Sequence, residues 1–229
     1  MTLLVKYYAT RKLHNRLRKL EQIQEIEGIR NRIARDIHDE IGSGLSKIAL
    51  LSSGMERKLA GNEELGKTNR RIKQLSSEVI RSMGEIIWAV NPGNDSVSSL
   101  FAYMRNYLNQ FAEETQVAVQ IDMHCENSED LERQLRPELK RNLLLIVKEA
   151  LNNIQKHAQA SEVHVRCNFG QSNVNMLIRD NGNGFTESPR FNHGNGMKNM
   201  QKRASDLHGT FDVSFDSGTV IKLEFPWKE

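Results

Sequence analysis

The stretch RIARDIHDEIGSGLSKIALL, residues 32–51, contains the spacing of apolar residues that decides how the first part of the chain folds. Isoleucine and leucine recur in it at steps of three or four, at positions Ile33, Ile37, Ile41, Leu45, Ile48 and Leu51. This spacing places the apolar side chains on one face of an α-helix. The pattern extends on both sides and predicts a long amphipathic helix over residues 15–59.

A second apolar stripe predicts a helix that pairs with the first. It consists of Ile72, Leu75, Val79, Met83, Ile86 and Val90, and Pro92 with Gly93 ends it. The segment AGNEELGK, residues 60–67, carries glycines at positions 61 and 66 and is expected to break the helix between the stripes. One hairpin cannot enclose its own apolar stripe, whereas two hairpins can do so as a four-helix bundle. We therefore expect residues 29–92 to form a homodimer.

After the polar break NPGNDS, residues 91–96, the sequence changes to alternating helical and strand-like segments. Strand-like alternation of apolar and polar residues occurs at 117–123, 162–169, 173–180, 210–215 and 219–225. Helical segments are expected at 96–114, 135–158 and 196–208. Together they predict a compact two-layer α/β domain over residues 97–229, which follows the hairpin and a basic linker helix at residues 1–28.

The composition of the 229-residue chain limits the classes of function that it can have. A net charge of +3 gives no general case for nucleic-acid binding, and two cysteines make no disulfide framework, so we expect a reducing compartment. Because no run of about 18 apolar residues is present, no segment is expected to span a membrane. Residues 1–35 hold nine Lys or Arg against three Glu, which fits either a solvated basic helix or the cytoplasmic edge of a membrane span.

Two strand ends in the α/β domain carry polar side chains that are predicted to face the core. Alternation along residues 173–180 puts Asp180 on the same face as the apolar residues, and Thr219 has the same parity in the last strand. An inward carboxylate needs hydrogen-bond donors, because an unpaired buried one costs several kcal/mol. A bound base with an exocyclic amine would supply a donor, and so would the turn NGNG at residues 181–184. Both interpretations remain open.

The predicted helix 135–158 contains the polar segment EALNNIQKHA, residues 149–158. Steps of three and four residues place Glu149, Asn153, Lys156 and His157 on one helical face. The amide oxygen of Asn153 suits Mg²⁺, and the two cationic side chains suit phosphate, although a polar edge on a buried helix is the other interpretation. The segment HGNGMKNMQKRA, residues 193–204, has a glycine pair that opens a helix, where backbone N–H groups bind phosphate well.

In combination these segments resemble the sensor histidine kinases of two-component systems, in the subfamily of the nitrate sensors. EALNNIQKH resembles the N box, DNGNGF and GNGMKNM the two glycine boxes, and GTVIKLEFP the closing strand. The resemblance implies binding of ATP and Mg²⁺, with Asp180 accepting from the adenine amine, Asn153 on the metal and Glu149 near the γ-phosphate. It implies a lid over the phosphates at residues 194–198. The implied ATP-binding residues are Asn153, Lys156, His157, Asp180, Gly182, Gly184, Gly194, Gly196, Met197, Lys198 and Thr219.

The opening stretch also resembles a motif of this family, because RDIHDEIGSG looks like its phosphoacceptor box. The resemblance implies that His38 is the nucleophile and that Asp39 holds or takes its proton. A neutral imidazole is competent near pH 7, since its reference pKa is about 6.5. Gly42, four residues after His38, would clear the surface beside it. The box of the subfamily often reads H-D-x-x-x-Q, and Ser43 stands here in place of the glutamine, so phosphatase activity is expected to be weak.

The function implied is that of an ATP-dependent protein histidine kinase. It would phosphorylate His38 and pass the phosphoryl group to an aspartate of a response regulator. The chain would be the cytoplasmic portion of a sensor, attached to the membrane only through a segment that precedes it. The alternative is a dimeric signalling scaffold that binds nucleotide without kinase activity.

Overall fold

The computed structural model describes residues 2–55, 63–184 and 195–228. The chain forms two compact units that divide between Gly93 and Asn94. The first unit is helical and the second combines helices with a β-sheet. This confirms the predicted fold class, a helical region followed by an α/β domain.

The first unit contains helices α1 (Thr2–Asp36), α2 (Ser43–Met55) and α3 (Glu63–Val90). A π-helical segment, Ile37–Gly42, joins α1 to α2. Ser52 is hydrogen-bonded to Asn69, while Gly42 lies opposite Met83. In these two contacts the higher residue number in the first helix is matched by the lower residue number in α3. The two helices are therefore antiparallel and form a hairpin.

Two expectations for this unit are wrong in detail. The break was predicted to include Gly66, but α3 already begins at Glu63, in the described part of that segment. Two glutamates in the first turn favour a helix start there, and Glu63 also pairs with Lys67 at 2.8 Å. Residues 37–42 were predicted to continue the regular helix but are π-helical instead. Because a π-helix has wider turns, a residue no longer lies directly above the one four positions before it.

The seam inside the hairpin is small and partly polar, whereas the apolar stripes are largely exposed on the single chain. Ser52 Oγ donates to Asn69 Oδ1 at 2.8 Å, and Asn69 Nδ2 donates back to the Ser52 carbonyl at 2.7 Å. Ser76 and Met83 continue the buried face of α3. The exposed apolar residues are Ile41, Ile48, Leu51 and Met55 before the break and Ile72, Leu75, Val79 and Ile86 after it.

The second unit begins with helix α4 (Val97–Thr115) and strand β1 (Ala118–Cys125). Then come helix α5 (Pro137–Asn153), which continues as a π-helical segment (Ile154–Ala158), and strands β2 (Glu162–Phe169) and β3 (Asn173–Asp180). Helix α6 (Asn195–Asp206) and strands β4 (Thr210–Phe215) and β5 (Thr219–Pro226) complete it. A 3₁₀ turn, Ser128–Glu132, precedes α5.

The five strands form one mixed sheet in the order β1-β2-β3-β5-β4. Strands β1 and β2 are parallel, and the other neighbours are antiparallel. In β2, β3 and β5 buried and exposed residues alternate along most of the strand, so helices cover one face of the sheet only. The core therefore lies between this face and the helices, as expected for a two-layer α/β domain.

A buried ion pair holds the start of the second unit against α5. The side chain of Lys140 is fully buried and its Nζ lies 2.5 Å from Asp95 Oδ1. Removing one partner of such a pair typically costs about 3–5 kcal/mol, because the other charge stays buried and unpaired. The pair thus fixes the beginning of α5, the helix whose other end carries Glu149 and Asn153.

Candidate functional site

Asp180 is the last residue of β3, and its carboxylate faces the core as parity predicted, with only 2% of the residue exposed. Its Oδ1 accepts hydrogen bonds from the backbone N–H groups of Gly182 at 2.9 Å and Thr219 at 3.2 Å. Within the described residues, both side-chain hydrogen bonds of Asp180 go to this oxygen. The backbone around the turn therefore satisfies Oδ1, and Oδ2 is available to accept a hydrogen bond from a ligand.

The segment after Asp180 packs closely against the π-helical end of α5. A Cβ on Gly182 would overlap the carbonyl oxygen of Ala158, and the Asn183 N–H donates to that oxygen at 2.8 Å. Only glycine allows the two backbones to approach this closely. Gly182 thus holds the turn against the helix, which is a structural role beside the cavity.

A small cavity opens between the end of α5, the strands β3 and β5 and the start of α6. Of the predicted ATP-binding residues, those that line it are Asn153, His157, Asp180, Gly184, Met197 and Thr219. Sequence reasoning missed its apolar wall, formed by Ala150, Ile154, Ala158, Ile178 and Ile221. In the sequence these residues follow the ordinary pattern of buried core positions. Only the three-dimensional structure shows that they line a cavity. This cavity, called the slot below, is mostly apolar with a few polar groups in its lining, which suits an aromatic ring system.

The side chain of Asn153 stands at this cavity with no protein hydrogen bond among the described residues. Its amide oxygen is a neutral hard ligand of the kind that Mg²⁺ accepts beside phosphate oxygens and water. The residues present therefore fit a magnesium nucleotide. In the described part of the chain, no cluster of three or more His, Cys, Asp or Glu suits an all-protein metal site.

Glu149 and Gly196 lie against each other, next to the cavity. A Cβ on Gly196 would overlap Glu149 Oε1, so the carboxylate packs against the glycine backbone in the first turn of α6. Further along, Arg203 Nη1 donates to Asn142 Oδ1 at 3.2 Å and ties the other end of α6 to α5. Helix α6 thus runs antiparallel to α5 and presents its start, with Met197, to the cavity.

Some predicted site residues are placed elsewhere. Glu149, Lys156, Gly182, Gly196 and Lys198 are not among the described residues that line the cavity. Lys156 belongs to the π-helical segment, where wider turns replace the regular spacing, so the single helical face predicted with Glu149 does not continue to it. Lys156 and Lys198 are both exposed. Gly194 lies outside the described residues.

The predicted phosphoacceptor residues belong to the first unit. His38 and Asp39 lie in the π-helical segment between α1 and α2, and their side chains are outside what the structure describes. π-Helical turns are rare and occur often at functional sites. A Cβ on Gly42 would make an ordinary van der Waals contact with the end of Met83, at 4.0 Å, so Gly42 faces the other helix of the hairpin.

The two cysteine side chains are unsuited to thiolate chemistry. Burial raises the pKa of the Cys167 thiol to about 12, and burial also raises the pKa of the Cys125 thiol above its ordinary value. Both thiols are therefore protonated near neutral pH. Neither residue lines the cavity, so the candidate site uses oxygen and nitrogen groups.

Two family models match the chain. The model described as "Histidine kinase" matches residues 30–95, and the model described as "Histidine kinase-, DNA gyrase B-, and HSP90-like ATPase" matches residues 138–229. The second match contains α5, β3, α6 and β5, which carry the cavity. The first contains the predicted phosphoacceptor box.

The chain is also similar to parts of longer curated proteins. It is 26% identical over 201 residues to the signal transduction histidine-protein kinase/phosphatase UhpB of Salmonella typhimurium, a match that covers 87% of the chain and 39% of the relative. It is 24% identical over 200 residues to the sensor histidine kinase LiaS of Bacillus subtilis, covering 86% and 54%. The chain thus spans about half the length of these relatives or less.

Among solved structures, the chain resembles the histidine kinase domain of the blue-light activated histidine kinase from Erythrobacter litoralis EL346. The TM-score is 0.50 at 15% sequence identity, over 80% of this chain and 94% of that one. At this identity the likeness concerns the fold. It agrees with a helical region followed by a mixed-sheet domain.

Proposed function

The chain belongs to the sensor histidine kinases, and from that premise we propose that it is an ATP-dependent kinase that phosphorylates its own His38. The phosphoryl group then passes to an aspartate of a response regulator. The observation that carries the proposal is the cavity beside Asp180, in a chain whose other unit matches a histidine kinase domain. Two relatives are named as a histidine-protein kinase/phosphatase and as a sensor histidine kinase, and these names support phosphoryl transfer to histidine as the class of reaction.

The base of ATP occupies the apolar slot in this proposal. Its exocyclic amine donates to Asp180 Oδ2, while Oδ1 remains bonded to the turn. The carboxylate therefore serves the fold and the ligand at the same time. Thr219, 8% exposed at the start of β5, borders the same end of the slot.

The phosphates extend toward Asn153 and the start of α6. Mg²⁺, held by Asn153 and the phosphates, would supply positive charge that offsets the charge developing on the transferred group. Exposed Lys156 and Lys198 are the cations proposed to reach the phosphates, and half-buried Met197 lines the cavity, with backbone N–H groups of the first turn of α6 as further donors. Glu149, which packs against Gly196, orients groups near the γ-phosphate in this proposal.

The acceptor is the imidazole of His38. Attack on the γ-phosphorus by one ring nitrogen forms the N–P bond and breaks the bond to the β–γ bridging oxygen, so that ADP leaves. Asp39 holds or takes the proton of the other ring nitrogen. The π-helical backbone, a local departure that is common at functional sites, supports a special role for this position.

The chain works as a homodimer in this proposal. Its hairpin buries a seam of Ser52, Asn69, Ser76 and Met83 and leaves the apolar stripes exposed. A second copy of the hairpin would cover them in a four-helix bundle.

The wider role is that of the signalling portion of a sensor protein. No helix among the described residues is long and apolar enough to cross a membrane. The basic residues 1–35 support a position at the inner surface of a membrane, with attachment through a segment beyond this sequence. LiaS, the relative named as a sensor histidine kinase, is longer than this chain, which supports a further sensing part.

The test of the reaction is the chemical stability of the phosphoprotein. Incubation with γ-³²P-labelled ATP and Mg²⁺ should label the chain, and the label should be lost in acid and kept in base, as expected for phosphohistidine. Labelling that survives acid would indicate a hydroxyl acceptor. A chain that binds ATP but takes up no label under any condition would be the nucleotide-binding scaffold instead.

A further inference from the structure

Two polar side chains, Ser52 of α2 and Asn69 of α3, are buried in the seam between the helices of the hairpin. Ser52 is 3% exposed and Asn69 is 6% exposed. Ser52 Oγ lies 2.8 Å from Asn69 Oδ1 and 2.9 Å from the Asn69 carbonyl oxygen, and Asn69 Nδ2 donates to the Ser52 carbonyl oxygen at 2.7 Å. Each side chain therefore bonds to the backbone of the opposite helix as well as to the other side chain.

The spacing of the other seam residues defines the register of the two helices only weakly. The buried positions of α3 recur every seven residues, at Asn69, Ser76 and Met83. A repeat of this kind presents a similar surface after a shift by one repeat, so the same pattern is compatible with more than one register. In a register shifted by one repeat, Ser52 would lie opposite Ser76, and the Asn69 amide would lose Ser52 as its partner.

The buried amide of Asn69 makes such shifted registers unfavourable. An amide has two donors and an acceptor, and buried polar groups need hydrogen-bond partners. In the observed register Ser52 supplies a hydroxyl to Oδ1 and a carbonyl oxygen to Nδ2. Leaving these groups buried and unpaired costs more free energy than the paired contact gains. A single buried asparagine fixes the register of helical coiled coils in the same way.

The register also decides which part of α3 lies beside the predicted phosphoacceptor segment. His38 and Ser52 belong to one continuous helical run, formed by α1, the π-helical segment and α2. Gly42, four residues after His38, lies opposite Met83 in the observed register. A slip of one helical turn would displace α3 by about 5.4 Å relative to this segment.

We propose that Ser52 and Asn69 are positioning residues, which lock the register of the hairpin and thereby fix the height of His38 along α3. The lock rests on the buried hydrogen bonds, whereas its effect on phosphorylation rests on the proposed function. Apolar side chains of similar volume in place of a buried polar pair are often equally stable or more stable. Loss of a single register, with folding retained, is therefore the result that distinguishes a lock from a merely stabilising contact.

The first experiment measures the register as the distance between two spin labels on one chain, by pulsed electron–electron double resonance. The labels are attached at Lys47→Cys of α2 and Glu64→Cys of α3, two exposed positions. Cys125→Ser removes the half-buried native thiol, and Cys167 is fully buried. Labelled chains are refolded with an excess of unlabelled chains, so that the distance within one copy is measured. This labelled protein is the reference and should give one narrow distance.

The test variant carries Ser52→Ala and Asn69→Leu in the labelled protein. We expect a second distance or a clearly broader distribution, because a slip of one turn moves one label by about 5.4 Å along the helix axis. If this variant fails to fold, Asn69→Ala carries the same prediction. Thermal unfolding of each protein checks the fold.

Two matched controls use the same labels. Ser76→Ala changes another buried polar residue of the same face, one repeat along α3 and outside the pair, and should keep one distance. The swapped pair, Ser52→Asn with Asn69→Ser, keeps a hydroxyl and an amide in the seam and should restore one distance.

The second experiment compares autophosphorylation and ATP affinity in the chain without spin labels. In the variant with Ser52→Ala and Asn69→Leu, the acid-labile label should fall on the order of tenfold, because a misplaced acceptor slows the transfer. The affinity for ATP and Mg²⁺, measured by calorimetric titration, should equal that of the wild type, since the cavity lies in the second unit.

The outcomes separate this proposal from the function on which part of it rests. One narrow distance in the test variant, equal to that of the labelled reference, would overturn the lock, whatever the change in thermal stability. A changed distance with undiminished phosphorylation would overturn the positioning of His38. If the wild type takes up no label, the proposed kinase function fails, while the distances still decide whether the pair locks the register.

Discussion

At the scale of the residue, Asp180 has one oxygen for each of the two roles that sequence reasoning had treated as alternatives. One oxygen satisfies the turn, as a short Asp-Asn-Gly segment does readily, and the other is available to a ligand. The parity of β3 predicted the inward carboxylate from sequence alone. Gly218 was not foreseen: its φ of +140° and its close approach to the Asp180 carbonyl become visible only when β5 lies beside β3.

Asp180→Asn should weaken ATP binding and leave the fold intact. An amide oxygen can keep the hydrogen bonds from Gly182 and Thr219, but its NH₂ group then replaces the acceptor for the adenine amine. Losing a hydrogen bond to a charged group costs about 1.5–3 kcal/mol, or roughly ten- to a hundredfold in affinity. Calorimetric titration measures the loss, and the preference for ATP over GTP should shrink with it.

The matched control for this substitution is Asp122→Asn. Asp122 lies on the outer face of β1, where its exposed carboxylate pairs with Arg166 at 2.8 Å. This variant should bind ATP as the wild type does. Equal affinities for Asp180→Asn and wild type would reject the role of Asp180 in base recognition.

Ser43 is the residue for which we predict a gain of function. It is exposed at the first position of α2, directly after the π-helical segment, where the resembling subfamily often has glutamine. A hydroxyl reaches less far than an amide, and misplacing a water by about 1 Å can cost on the order of a hundredfold in rate. Wild-type phosphatase activity should therefore be weak, and Ser43→Gln should raise it without changing autophosphorylation.

The assay for Ser43 follows the decay of phosphorylated regulator with ADP and Mg²⁺. The control is Ser77→Gln, which introduces the same side chain at an exposed position of α3 and should leave the rate of decay unchanged. Fast decay with the wild type that persists in Ser43→Ala would show that this position does not limit the reaction.

At the scale of the element, the hairpin separates two kinds of helix surface. Asn69, Ser76 and Met83, each seven residues apart, face the partner helix of the same chain. Ile72, Leu75, Val79 and Ile86 are 43–49% exposed and form the adjacent stripe. Because the stripe is apolar but uncovered within one chain, it is the surface that the proposed homodimer would bury.

Leu75→Glu should dissociate the dimer, because it places a charge in the centre of the apolar stripe. Gln74→Glu introduces the same side chain at the neighbouring exposed position and should remain dimeric. Sedimentation equilibrium of the full chain at micromolar concentration distinguishes them. A wild type that sediments as a folded monomer would contradict the proposed bundle.

Sequence periodicity predicted the helices and strands more accurately than it predicted their irregularities. Strands β2, β3 and β4 match their predicted ranges, because each combines alternation with flanking turn residues. The π-helical segments Ile37–Gly42 and Ile154–Ala158 were missed. Their apolar residues still follow steps of three and four, so the pattern does not reveal the wider turns.

At the scale of the whole molecule, the groups needed for the proposed phosphoryl transfer lie on both units of the chain. The second unit carries the cavity, whose lining is mostly apolar and includes the polar residues Asn153, Asp180 and Thr219. The first carries His38, on a backbone that departs from the regular helix at that position. Neither unit alone has both a nucleotide site and an acceptor, so the proposed kinase activity requires the two in one assembly.

The measurement that tests this account most directly is labelling of wild type and His38→Ala with γ-³²P-labelled ATP, alongside the ATP affinity of each. We predict an acid-labile label on the wild type, no label on His38→Ala, and equal ATP affinity, because His38 lies in the first unit and the proposed ATP cavity in the second. His14→Ala, which alters another helical histidine of the first unit, should label as the wild type does. Undiminished acid-labile labelling of His38→Ala would contradict the central claim.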